Sequence, residues 1–332
     1  MTLSVVLPWV IFTVAVLGIL ALDLGVFHRK SHAVSLREAT NWTIVWVTLA
    51  LAFAAGIVYF RGSQSALEFL SGYLIEYSLS VDNIFVFVLI FTSFRVPATA
   101  QHRVLFWGIL GAFVMRGVMI GIGAALIATF HWVLYIFGAF LIYTGIKIAL
   151  NKEPEGLEVG ENAVVRFVKR HISLTEHYVD SKFWIYENGR RLFTPLALVL
   201  VVIETSDLIF AVDSIPAVFA VTQDPFIVYT SNVFAILGLR SLYFLLAGIV
   251  DRFYYLKHAL SVILTFVGVK MVIVHWVKIP ISTSLIVIAG VLTLAVIASV
   301  IRAKRLPDHG DIVPDPRTNP EGLDAPHEKV AL

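Results

Sequence analysis

Residues 194–220 read TPLALVLVVIETSDLIFAVDSIPAVFA. This run of 27 residues has no basic side chain and three acidic ones, Glu204, Asp207 and Asp213. As an α-helix it would be about 40 Å long, more than the ~30 Å hydrocarbon core of a bilayer requires. A barrel strand would alternate over about ten residues; this run is longer and does not alternate. It reads as a membrane-spanning helix that carries charge where charge is most costly.

The rest of the chain agrees. Comparable apolar runs fall at 5–27, 41–60, 68–94, 104–128, 131–150, 226–250, 257–278 and 281–301, which makes nine helices in all. The 332 residues are 58% hydrophobic and 14% charged, with a mean hydropathy of +0.86. Soluble domains are closer to 45–50% apolar and about 25% charged, so a soluble enzyme is excluded, as is a disordered or collagen-like chain. The sequence has no cysteine, which removes disulfides, zinc–thiolate sites, iron–sulfur clusters and thiol nucleophiles. The opening MTLSVVLPW lacks the basic n-region of a cleavable signal peptide. The expected fold is an all-α polytopic membrane protein with nine transmembrane helices.

Orientation follows from the basic residues. With the N-terminus outside, 19 of the 25 lysines and arginines fall on the inner side, and only Arg61 and Lys278 fall outside. The positive-inside rule then gives N-out, C-in. The transmembrane domain covers 1–305 and includes a cytoplasmic loop at 151–193. Within that loop AVVRFVKRH at Ala163–His171 has the pattern of a short amphipathic helix lying on the bilayer. KFWIYENGRRLF reads as a β-hairpin, with Asn188-Gly189 supplying the positive φ angles of a type I′ turn. The proline-rich polar tail 306–332 is expected to be disordered.

Two segments resemble each other, at about 68–150 and 194–278. Glu76-x5-Asp82-Asn83-Ile84 is matched by Asp207-x5-Asp213-Ser214-Ile215. The next helix of each segment carries one arginine, Arg116 or Arg240, and the third carries Gly-x-Lys, at Gly145–Lys147 and Gly268–Lys270. Each unit contains three helices, helices 3–5 and 6–8 of the nine. An odd number places the copies upside down relative to one another. Inverted repeats are characteristic of secondary transporters, with the substrate site near mid-membrane at the repeat interface.

The candidate site is the set of intramembrane acids with their polar neighbours: Glu76, Asp82 and Asn83, then Glu204, Asp207, Asp213 and Ser214. A charge at a helix centre costs ~2.5–3.5 kcal/mol on insertion scales. The competing reading pairs the acids with Arg116, Lys147, Arg240 and Lys270 for structural reasons. It accounts for the charges but not for their concentration in one repeated motif. Glu204 and Asp207 share a helix face. Glu76 and Asp82, like Asp207 and Asp213, are six residues apart, which turns them about 120° from each other on an ideal helix. For both ends of a motif to face one cavity the helix must kink or unwind, and Pro216 offers a cause in the second copy. Carboxylates, an amide and a hydroxyl form an all-oxygen donor set suited to Mg²⁺, Ca²⁺ or Mn²⁺. The ten histidines lie in loops, in the tail or near helix ends, and Met115, Met119 and Met271 read as packing. The surplus of acids leaves room for proton coupling.

YLIEYSLSVDNIFVF at Tyr73–Phe87, ETSDLIFAVDSIPAVFAVT at Glu204–Thr222 and TSNVFAILGLRSLYFLLAG at Thr230–Gly248 resemble the TerC/Alx family of integral membrane proteins. The resemblance runs over essentially all nine helices. It implies a member of the lysine-exporter-type superfamily, associated with tellurite resistance, alkaline pH response and manganese export. It also implies functional acids at Glu76, Asp82, Glu204, Asp207 and Asp213, and it is what favours Mn²⁺. The expectation is a multi-pass exporter of divalent cations in the cytoplasmic (inner) membrane of a bacterium, exchanging with protons. Asp82 and Asp213 are its central ligands, supported by Asn83 and Ser214. Its partners are the lipid bilayer, the cation and protons, with no cofactor and no nucleic acid. An enzyme is not expected: GxGD and HExxH are absent and no Ser/His pair lies at depth. The alternatives are an exporter of small organic cations, or a membrane scaffold that assists insertion through loop 151–193.

Overall fold

The structure, a computed structural model of the chain, describes residues 3–22, 35–130, 132–150, 163–187, 189–247 and 254–305. The tail 306–332, the loop segment 151–162 and Asn188 of the hairpin turn lie outside the described residues. The chain divides into two compact units, 1–33 and 34–332. The first contains helix α1 (Leu3–Leu22), whose shorter apolar stretch is Val6–Leu20.

The second unit holds α2 (Leu36–Arg61), α3 (Ser63–Ser93), α4 (Ala98–Thr129), α5 (Val133–Leu150), α6 (Ala163–His171), strands β1 (Trp184–Glu187) and β2 (Arg190–Phe193), α7 (Pro195–Phe219), α8 (Pro225–Leu246), α9 (Leu256–Ile273) and α10 (Ile281–Arg305). Eight helices among the described residues, α2–α5 and α7–α10, are long and apolar enough to cross a membrane. The architecture is therefore an all-α polytopic membrane protein.

α8 is the central helix and is buried along its whole length. It is also the least hydropathic of the eight, as expected where a helix meets other helices rather than lipid. α2, α3 and α4 pack on it, α7 packs on α3 and α4, and α10 covers α3 and α9. On α4 the two environments separate by period. Val114, Val118 and Ile122 form an exposed i, i+4 stripe toward lipid, while Ala112, Arg116, Ile120 and Gly123 turn inward.

Lipid tails are as apolar as leucine, so close approach of small residues, not apolar burial, holds such helices together. The pair α5–α9 shows this. Gly145 lies against Ser261 and Thr265, and Gly268 lies against Gly138 and Ile142, so the two helices run antiparallel. Ser261 Oγ donates to the Gly145 carbonyl across the seam at 2.6 Å. A Cβ at Gly268 would stand 2.7 Å from the Gly138 carbonyl oxygen and 2.9 Å from the Ile142 nitrogen. Gly268→Ala is thus expected to cost about 1–3 kcal/mol through overpacking, seen as a lower Tm of the purified protein. Gly121→Ala, with open space around the added methyl, is expected to leave the Tm unchanged or raise stability by up to about 1 kcal/mol.

Loop residues 163–194 form a folded platform. The hairpin pairs Trp184 with Phe193 and Glu187 with Arg190, and Gly189 adopts φ +75° in its two-residue turn. Tyr178 donates its hydroxyl to the Phe94 carbonyl at 2.7 Å; burial pushes this phenol above its usual range, so it stays a donor. Thr194 Oγ1 donates to the Lys182 carbonyl at 2.6 Å. Helix α6 forms at the expected residues, but its apolar stripe turns inward. Val165 and Val168 are buried in the core beside Leu196 and Val199 of α7, leaving Phe167 and the basic residues outward. The two valines are thus covered within the protein, and Phe167 remains the exposed apolar side chain of the helix.

Candidate ion site

α3 and α7 both run as continuous helices through their acidic motifs. Neither helix unwinds between its motif ends. Pro216 falls in the last turn of α7. With α7 helical throughout, the two ends of its motif meet different neighbours.

At one end, Asp207 meets Arg116 of α4. Nη2 of Arg116 donates to Asp207 Oδ1 at 2.7 Å and Nε donates to Oδ2 at 3.1 Å, a bidentate fork. The same guanidinium reaches across to α3, where Nη1 donates to Glu76 Oε2 at 2.7 Å. Asn232 of α8 completes the cluster, donating Nδ2 to Glu76 Oε1 at 2.6 Å. Glu76 and Arg116 are 1% exposed, Asp207 3% and Asn232 0%, so no solvent screens the charges. Glycines on α4 permit this closeness: Gly117 lies against the Tyr229 ring and Gly108 against Ile203.

At the other end, Asp213 turns to α5, in hydrogen-bond contact with Thr144 and in electrostatic contact with Lys147. Glu204, one turn before Asp207, lies with its carboxylate against Gly111 of α4, in the space a side chain there would fill. Ser214 is buried, and its Oγ has no hydrogen-bond partner. Asn83 is buried on α3. The Asp82 side chain lies outside the described residues. The structure therefore brings Glu76 and Asp207 together from the two acidic helices and sends Asp213 to a separate neighbour. Among the described residues, no three acidic or histidine side chains converge as a ready metal cage.

Of the four basic residues, Arg116 and Lys147 lie beside acids. Lys270 donates to Ser284 Oγ of α10 at 2.9 Å, with Glu68 in electrostatic reach. Arg240 is buried within α8. Asn232 and Thr144 were not read from the sequence as site residues. For Asn232 a signal existed, a lone amide in an apolar run that also carries Arg240, and such groups are costly in lipid. Glu68, which accepts from Thr222 Oγ1 at 2.6 Å, sits at the edge of its run, where nothing distinguishes it from a solvated helix end.

Chemically, the arrangement is a buried oxygen-donor cluster spanning three helices, closed at present by a guanidinium. Fold and site together define a polytopic helical membrane protein of transporter-like build, its polar centre formed by two acidic helices. The integral membrane protein TerC family matches residues 61–306, and the chain belongs to this family. It is 54% identical over 299 residues to an uncharacterized membrane protein of Myxococcus xanthus, covering 90% of this chain and 93% of that one. It is 49% identical over 305 residues to proteins of Salmonella typhi and Escherichia coli K12 that are named as a candidate membrane-bound redox modulator, Alx, covering 89% of this chain and 94% and 95% of theirs. No solved structure matches the chain.

Proposed function

We propose that this protein is a secondary transporter, and not an enzyme, that exports divalent metal cations across a bacterial cytoplasmic membrane in exchange for protons. Mn²⁺ is the favoured substrate. The observation that carries the reading is the meeting of Glu76 and Asp207, one from each acidic helix, at a dry centre among packed helices. Carboxylates in such a place are functional groups by default. Glu76, Asp207 and Glu204 bind or pass the ion or proton; Asp82 and Asp213 are ligands, with Asn83 and Ser214 beside them. The buried, unpartnered hydroxyl of Ser214 fits a donor group kept for a ligand.

An inverted repeat of α3–α5 and α7–α9, with N-out and C-in, belongs to the same reading, and helix packing supports it. A shift of 123 residues carries Gly145 onto Gly268, Gly138 onto Ser261 and Ile142 onto Thr265. The contacts of Gly145 with Ser261 and Thr265 then become those of Gly268 with Gly138 and Ile142. Each is the image of the other, on antiparallel helices, as a two-fold axis in the membrane plane requires. The packing of α3 on α8 is likewise the image of α7 on α4. Alternating access then rocks α3–α5 against α7–α9.

The redox role in the relatives' name fits this chain only indirectly. With no cysteine, thiol–disulfide exchange is closed to it, whereas control of a redox-active cation is not. The test is cellular manganese content and metal tolerance in cells expressing wild type, Asp82→Asn or Asp213→Asn. Export predicts lower manganese and higher tolerance with wild type only. Equal metal content across all three would contradict transport. Greater damage from deleting loop 151–193 than from either carboxylate change would favour the scaffold.

A further inference from the structure

The electrostatic balance of the buried cluster points beyond a structural ion pair. A guanidinium that served only to join α4 to its neighbours would need one carboxylate. Here it has two, from different helices, and the formal charge of Glu76, Asp207 and Arg116 together is −1 in a site with almost no solvent access. Replacing a buried ion cluster by apolar groups is often neutral or stabilising, so stability alone is a weak reason to keep this one. A dication between the same two carboxylates would give a neutral site. A dication added beside Arg116 would place like charges together with almost no water between them, so the two cations compete for the same carboxylates. Asp207 is held through both oxygens and Glu76 through Oε2, while Oε1 is taken by Asn232. All four carboxylate oxygens of these two acids therefore already accept a hydrogen bond, three of them from Arg116, so a dication entering between the acids has to share or displace those contacts.

Building on the transport reading above, we propose that Arg116 is a tethered substitute for the transported cation. It fills the site when the carrier is empty, and it must swing off Glu76 and Asp207 before a dication binds there. Arg116 ties α3 to α7, so its occupancy holds the two halves together. With Arg116 in place the site is left at −1, and one proton taken up by the carboxylate pair makes it neutral, so the return step carries Arg116 and a proton in place of the dication. Arg116 is a positioning residue that sets affinity and turnover in opposite directions. Apparent affinity is divided by the fraction of molecules in the competent state, so emptying the site of its internal competitor tightens binding.

The test uses purified full-length protein with Mn²⁺ as the probe, in equilibrium binding and in proteoliposome flux. In Arg116→Gln, with Gln too short to reach both acids, the Kd for Mn²⁺ is expected to fall about tenfold or more, as removal of a competitor that holds ~90% or more of the molecules requires. KM should fall with it, while kcat is lost because the empty site no longer resets. Thermal unfolding checks that the variant is folded. Should it not fold, Arg116→Lys carries the test. A single ammonium cannot reproduce the fork and the bridge together, so binding should still tighten, by a smaller factor. Unchanged or weaker Mn²⁺ binding in a folded variant would overturn the proposal and leave Arg116 structural, with the transport reading intact. Absence of Mn²⁺ binding in wild type and variants alike would instead overturn the transport reading and the proposal with it.

Discussion

Asp207→Ala is expected to lower the unfolding free energy by about 3–5 kcal/mol, the range for removing one partner of a buried pair, and to abolish cation export. Asp207 supplies both oxygens of the fork that holds Arg116. Without it the guanidinium keeps a single bond to Glu76 and a long 3.4 Å contact to Asn232 Oδ1, and several N–H groups face a site too dry to satisfy them. Thermal unfolding of the detergent-purified protein reads the first effect, and metal tolerance of expressing cells reads the second. The contrast is Arg61→Ala, which breaks the 2.7 Å pair with Asp224. Both of those side chains are more than a third exposed, so the loss should stay within about 1 kcal/mol. Equal destabilisation by the two changes would show that burial does not set the worth of the Arg116 cluster.

Gly111→Leu is expected to reproduce the loss of an acid without touching one. The Glu204 carboxylate occupies the space that a side chain at position 111 would take. A leucine there must push the carboxylate out of its seat or force α4 away from α7. Overpacking of this kind costs about 1–3 kcal/mol, which a multi-helix bundle tolerates. Manganese content in cells carrying Gly111→Leu should rise to the level seen with Glu204→Gln, and the double variant should be no worse than either single one. Gly121→Ala, which meets nothing, is the control and should export normally. Full export by Gly111→Leu would separate the seat of Glu204 from the transport path.

Much of this organisation is legible in one dimension because lipid imposes it. A helix that crosses a bilayer must be long and apolar, so the eight spans could be read directly, and the Asn-Gly turn gave the hairpin. The acids stood out for the same reason, as charge in a run where charge is costly. Partner choice was not legible. Periodicity says that Asp207 and Asp213 face directions 120° apart, but not that α4 lies on one side and α5 on the other. Requiring a single cavity leads to a kinked or unwound helix; α7 stays helical through its motif and serves two neighbours instead. α6 shows the same limit. Its valine stripe announced an apolar contact, and only the assembled bundle shows that the core around α7 receives it. Asn232 matters because α8 is central, a property of the assembled bundle that no single run displays.

The most direct test of transport through the carboxylate site is Mn²⁺ flux into proteoliposomes that hold a Mn²⁺-quenched fluorophore. Wild type, Glu76→Gln and Asp207→Asn should be compared at matched protein incorporation. Saturable quenching by wild type, lost in both variants while each remains folded, is the expected result. Flux of equal size in all three, or none above protein-free liposomes in wild type, would contradict cation transport through Glu76 and Asp207.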